Sequence, residues 1–173
     1  MPINMLIHDQ RLHGRSPAIA DNQYEVDGTV PISHIVDWTQ TVARGSGFIK
    51  KLVIMAHGSG YGIQLGREWL TLKTVDRFSA LKGLVKSVIL YSCSAARTEP
   101  YRRMTEGDGA LLISRLAVRM NCYVVASSST QWYTPGTSQQ QPIDFGAWEG
   151  DVYLFGPNGN KQLLDSWIPD DLE

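Results

Sequence analysis

Lys51-Leu52-Val53-Ile54-Met55-Ala56-His57-Gly58 and Ser87-Val88-Ile89-Leu90-Tyr91-Ser92-Cys93 are apolar runs that each stop at a residue able to do chemistry. Short continuous hydrophobic runs bounded by Gly and Ser read as strands buried on both faces, as in a parallel sheet. Ligands and catalytic groups collect at the carboxyl ends of such strands. Were the two strands neighbours, an imidazole and a thiol would meet at one edge of the sheet. The separation between His57 and Cys93 leaves room for one crossover between parallel strands, and the segment Thr74 to Leu84 reads as its helix, with Val75, Phe78, Leu81 and Leu84 three apart.

Around this centre the chain alternates. Ile3 to Ile7 reads as a first strand and Asp9 to Asn22 as an irregular polar loop. Tyr24 to Val30 suggests a brief edge strand stopped by Pro31. Ser33 is placed to cap a helix running to about Ala43, with Ile35, Val36, Thr39 and Val42 on one side. Ile63-Gln64-Leu65-Gly66 and Trp69-Leu70 suggest a small hairpin. Ala95 to Gly107 is a long polar loop, after which Asp108 caps a helix from about Gly109 to Met120, with Leu112, Leu116 and Met120 recurring every four residues. Cys122 to Ala126 is the next buried strand. Thr130 to Pro142 is loop-like, and Gly156-Pro157-Asn158-Gly159-Asn160 joins two strand-like runs into a hairpin over about residues 147–167. The order predicts one domain over residues 1–173, an α/β sandwich with a mostly parallel central sheet and a C-terminal β-hairpin.

Composition narrows the function classes. The 173 residues suit one domain with a proper core. A formal net charge of -1 gives no basic face for nucleic acid. No apolar stretch approaches the roughly 18–20 residues of a membrane span. Met1 to Arg15 carries Asp9, Arg11 and Arg15 and has no long apolar segment of the signal-peptide kind, so a cytoplasmic location is expected, with export by a route that reads no such signal left open. Two cysteines make no disulfide framework, and each falls in or beside a predicted strand, as free thiols in a reducing compartment do.

A thiol attacks as the thiolate, so Cys93 needs a base or a positive field, and His57 is the candidate base. The oxyanion formed on attack needs fixed donors. Gly58 offers an amide that substrate can approach, and the Cys93 amide is the natural second. Taken singly, a strand-end Cys is more often packing than catalysis, and His-Gly after a strand is common. At two strand ends together they make a dyad candidate. His8, His13 and His34 lack the ligand spacing of a zinc site and read as surface or loop residues. Cys122 reads as core. Gly58-Ser59-Gly60-Tyr61-Gly62 lacks the Gly-Lys-Ser/Thr ending of a phosphate loop, and no Gly-X-Ser-X-Gly elbow is present. No metal ligand set or cofactor motif is legible.

The pattern resembles the caspase-like, or clan CD, cysteine peptidases. Within them it is most similar to the bacterial CHAT-like branch and a related bacterial domain of unknown function. The likeness rests on Val53 to Gly58, Ile63-Gln64-Leu65-Gly66, Leu90 to Cys93 with Ser94-Ala95-Ala96, and Val124-Val125-Ala126-Ser127, in that order, within Leu52 to Trp132. It implies a caspase-like three-layer sandwich, with His57 as base, Cys93 as nucleophile, and the Gly58 and Cys93 amides as oxyanion hole. It also implies a pocket lined by Ser127 to Trp132, in which Trp132 walls the substrate side chain and Ser127 or Ser129 meets its backbone.

Departures limit what carries over. Tyr91-Ser92 stands where caspases have Gln-Ala, and no Arg pair is placed to bind an acidic side chain. Asp144 and Glu149 are candidates to accept a basic one, with a solvated loop carboxylate as the plainer reading. Arg97, Arg102 and Arg103 mark a self-cleavage site or, more simply, a solvated basic loop. The expected function is a cysteine endopeptidase acting on a peptide or protein through a thioester. The alternatives are a non-catalytic binding module of the same fold in a bacterial toxin, phage or signalling system, and a transferase or amidase using the same pair.

Overall fold

The computed structural model describes residues 1–136 and 141–164. Its strands are β1 (Ile3–Asp9), β2 (Asn22–Val26), β3 (Ile49–Met55), β4 (Gly58–Ser59), β5 (Gly62–Ile63), β6 (Val85–Tyr91), β7 (Tyr123–Ser127), β8 (Val152–Phe155) and β9 (Lys161–Leu164). Seven of them form one sheet in the order β2-β1-β3-β6-β7-β8-β9, and the short β4 and β5 pair separately. The first five strands of the sheet pair in parallel, and β8 and β9 add an antiparallel hairpin at its edge. The expected hairpin is therefore present, while residues 165–167 of its predicted span lie outside the described residues.

Chain handedness explains the layering. The crossovers β2 to β3, β3 to β6 and β6 to β7 all step the same way across the sheet, and right-handed connections stepping one way lie on one face. They carry α1 (Ile32–Ser46), a 3₁₀ helix (Val75–Leu81) and α2 (Gly109–Met120). Their apolar side chains pack with Leu52, Ile54, Val88, Leu90 and Val124 in one cluster. The connection from β1 to β2 steps back and falls on the other face. There Leu12 and Ala20 join Ile143, Phe145 and Trp148 over Leu6, Val53, Met55, Ile89 and Val125. The three layers are thus helices, sheet, and a cover of irregular chain, an arrangement consistent with a caspase-like sandwich.

Local starts and stops differ from expectation in informative ways. Helix α1 begins at Ile32, and Ser33 lies exposed inside its first turn rather than capping it. Glu68 Oε2 accepts the Ile32 amide at 2.8 Å instead. Burying Ile32, Ile35 and Val36 contributes about 1.5–3 kcal/mol each, which outweighs the roughly 1 kcal/mol of a missing side-chain cap. The segment after β5 is a 3₁₀ helix with Val75, Phe78 and Leu81 buried. Their spacing of three, with no fourth-residue partner, is the 3₁₀ period. β2 is shorter than expected, because Asp27 Oδ1 takes the Thr29 amide at 2.7 Å and turns the chain.

Helix α2 starts where the sequence places it. Asp108 accepts the Leu111 amide at 3.1 Å, the Thr98 hydroxyl at 2.7 Å and the Met104 amide at 2.7 Å. Burial alone would raise this carboxyl. The hydrogen bonds, with Arg103 nearby, outweigh it and hold the group below the ordinary carboxylate range. A carboxyl depressed in the fold contributes stability above its unfolded pKa of about 3.9, and that contribution is lost as pH falls through the folded value. Asp108→Ala is expected to cost about 1–2 kcal/mol at pH 7. In urea unfolding, the gap from wild type should narrow at pH 3.

Candidate active site

Strands β3 and β6 pair in register from Ile49↔Val85 to Met55↔Tyr91, and every pair has the sequence offset that separates His57 from Cys93. The ladder runs one step further, where the Ala56 amide donates to Tyr91 O at 3.3 Å. His57 and Cys93 are each two residues past the last registered pair. They share the parity of Val53, Met55, Ile89 and Tyr91, whose side chains face the irregular layer. The thiol and the imidazole therefore belong to adjoining strand ends, on neighbouring strands about 4.8 Å apart.

His57 is exposed, and its Nε2 lies 3.1 Å from Arg11 O. A carbonyl only accepts, so Nε2 carries the hydrogen; in the neutral ring Nδ1 then holds the lone pair, and no hydrogen bond reaches it among the described residues. Gly58 opens the β4–β5 pair. Ile63 exchanges both of its backbone bonds with Leu70, at 2.9 Å each, so the facing Gly58↔Ile63 pair is a non-bonded one. The Gly58 N–H accordingly points away from β5. A Cβ on Gly58 would sit 2.8 Å from Cys93 O and collide with the Ser92 hydroxyl, so the two loops touch at this glycine.

Cys93 is half-buried. Its Sγ donates to Gln131 O at 3.3 Å, and among the described residues no hydrogen bond joins it to His57. Among them, too, no acceptor takes the Cys93 amide. Beyond it, Ser94 adopts a left-handed φ of 51, and the Ser94 and Ala96 amides donate to Ser129 O and Ser127 O at 2.8 and 2.9 Å. These bonds tie the turn after Cys93 to the loop after β7. Ser92 is buried, and its hydroxyl has no partner among the described residues. Cys122 differs from Cys93, because burial pushes its thiol up to about 12, and it is core as read from the sequence.

The residues expected to meet substrate divide. Ser127 is fully buried, its hydroxyl donating to Glu149 O at 2.9 Å and accepting from Ser129 N and Gln131 Nε2. It braces the loop instead of presenting itself to a ligand. Ser129 is half-buried, and its carbonyl holds Ser94. Trp132 is 73% exposed at the edge of a shallow cavity of about 190 Å³ with Tyr133, Thr134, Asp144, Phe145 and Gly146. Glu149 Oε2 accepts the Trp132 amide at 2.6 Å, so this carboxylate is occupied with the loop. Asp144 is exposed and its Oδ1 accepts the Gly146 amide at 2.7 Å. A second cavity that it lines, of about 210 Å³, is bounded by Met55 and Tyr91, two residues before His57 and Cys93, with Ile143 and Phe145.

Sequence reasoning missed two residues of this site. Gln131 is buried, gives its side chain to Ser127, Ser129 and Glu149, and takes the thiol on its carbonyl. A lone Gln in a Ser/Thr/Gln-rich stretch carries no signal of that role. Arg11 lies in a loop with no motif, and only its backbone touches His57. His8, read as a surface or loop residue, is instead buried in β1, between Ser16 Oγ at 2.7 Å and Leu12 O at 2.8 Å. Among the described residues no group of three or more His, Cys, Asp or Glu is placed to hold a metal ion. None of the described helices is long and apolar enough to cross a membrane. Comparison with protein-family models, curated proteins and solved structures finds no match to this chain.

Proposed function

We propose that the chain is a caspase-like cysteine endopeptidase acting on a peptide or protein substrate. The observation that carries this reading is the shared offset of His57 and Cys93 at adjoining parallel strand ends, with Nδ1 of the imidazole unoccupied among the described residues. Substrate entry would draw the thiol off Gln131 O, and Nδ1 takes its proton. The thiolate attacks the peptide carbonyl carbon, and the oxyanion settles between the Gly58 and Cys93 amides. His57 then returns the proton to the leaving amine, giving a thioester at Cys93. A water, deprotonated by His57, releases the acid.

The test is a panel of acyloxymethyl ketone probes, with the adduct located by mass spectrometry. Labelling is expected at Cys93 alone, absent in Cys93→Ala, with Cys122 untouched. No labelling, together with equal inertness of wild type and Cys93→Ala on broad peptide libraries, overturns the reading. The competing non-catalytic binding module draws on one observation, the thiol held by Gln131 O with no bond to His57 among the described residues. Under it, Cys93→Ala leaves biological activity intact.

A further inference from the structure

The base is held by a closed circuit of hydrogen bonds, and one side chain outside the dyad closes it. His57 O accepts the Gln64 amide at 2.8 Å, fixing the backbone of the base to the segment after β5. The His57 ring donates to Arg11 O. The Arg11 guanidinium reaches back to the same segment, its Nη2 lying 2.7 Å from Gly66 O and 3.4 Å from Gln64 O. Asp9, buried at the end of β1, grips that guanidinium through two bonds, Nε to Oδ1 at 2.8 Å and Nη2 to Oδ2 at 2.6 Å. It also accepts the Arg11 amide at 3.2 Å and the Gly66 amide at 3.0 Å. The Asp9 hydrogen bond is the main reason the Arg11 guanidinium is held above its ordinary pKa. Both oxygens of the Asp9 carboxylate thus grip Arg11, and one of them also holds the segment after β5 to which its guanidinium reaches.

We propose that Arg11 is a positioning residue for His57: its Asp9-clamped guanidinium holds still the carbonyl on which the His57 Nε2–H rests. A free neutral imidazole exchanges between tautomers, and only the Nε2–H form leaves Nδ1 as the proton acceptor. As the ring gains charge, the Nε2–H bond to the carbonyl becomes charge-assisted and strengthens. The Asp9–Arg11 pair is internally neutral, so it supplies orientation without a net field against the imidazolium. Lysine cannot substitute: one ammonium does not reproduce a planar fork that bonds a carboxylate twice and a carbonyl at the same time. The effect on turnover rests on the peptidase reading; the effect on the tautomer does not.

Long-range proton–nitrogen correlation spectra of the histidines test it on the full chain, with the His57 signals assigned by their loss in His57→Gln. Wild type is expected to show Nε2–H at His57. Arg11→Lys and Arg11→Gln are expected to show mixed tautomers. In both, alkylation of Cys93 by iodoacetamide should slow about tenfold near neutral pH with an altered pH–rate profile, and kcat should fall about tenfold or more with KM little changed. Arg67→Lys, an exposed change on the same segment, should alter none of these. An Nδ1–H tautomer in wild type overturns the proposal whatever the variants do. So does a folded Arg11→Lys or Arg11→Gln that keeps the wild-type tautomer and alkylation profile. A chain inert on every peptide, yet showing the expected tautomers and alkylation profiles, would retire the peptidase reading and leave the clamp standing.

Discussion

Replacing His57 by alanine is expected to lower peptide turnover by about 10²–10⁴-fold, the range a positioned general base supplies, while leaving the fold intact. The reasoning starts from the resting thiol. Cys93 donates its hydrogen bond to a neutral carbonyl, Gln131 O. Nothing in that contact can remove the proton. The nearest group in register able to do so is the imidazole on the adjoining strand end, whose Nδ1 is unoccupied among the described residues. Because His57 is exposed, its loss opens no cavity, and melting temperature should stay close to wild type. Iodoacetamide labelling of Cys93 at pH 6–7 should slow by about tenfold, since only the thiolate reacts. Cys122, with its thiol pushed up to about 12, serves as the unlabelled internal control. A His57→Ala protein that cleaves peptides at the wild-type rate removes the imidazole from the chemistry.

The sheet was legible because its strands are buried on both faces, so Leu52 to Ala56 and Val88 to Ser92 carry the apolar signal without ambiguity. The candidate pair was legible for the same reason: each run ends abruptly, and His57 and Cys93 stand two residues past the ends of β3 and β6. Handedness of the crossovers, not pattern, decides which face each connection takes. Where side chains alone determine a start, as Asp108 does for α2, the sequence places it correctly. Helix α1 shows the limit. Its first amide is satisfied by Glu68, distant in sequence, and no local signal reports such a partner. The third layer fails for a related reason. Its chain has no period, and its course is set by backbone bonds such as Thr134 with Asp144 and Ile143 with Arg15, beside the packing of its scattered apolar side chains on the sheet. Gln131 and Arg11 touch Cys93 and His57 through carbonyl groups that every residue possesses. Residue identity cannot reveal them.

Gly58→Ala should produce the largest combined loss, because a methyl group on the Gly58 loop strikes the loop that carries Cys93. Gly58 does not need glycine for its φ; what excludes a side chain is space. The added carbon would sit 2.8 Å from Cys93 O and overlap the Ser92 side chain. Ser92 has rotamers to yield, but the carbonyl is backbone and moves only if Cys93 moves with it. Overpacking of this kind costs about 1–3 kcal/mol. Displacing one oxyanion donor costs about 10²–10³-fold in kcat. The two effects separate in a double variant. Adding Ser92→Gly removes the side-chain overlap and an unpartnered buried hydroxyl, so urea unfolding should show stability partly recovered. The collision with Cys93 O stays, so turnover should remain at the level of Gly58→Ala. Recovery of stability and turnover together would mean that the Gly58–Ser92 contact is packing alone. It would also mean that the Gly58 amide takes no part in holding the oxyanion.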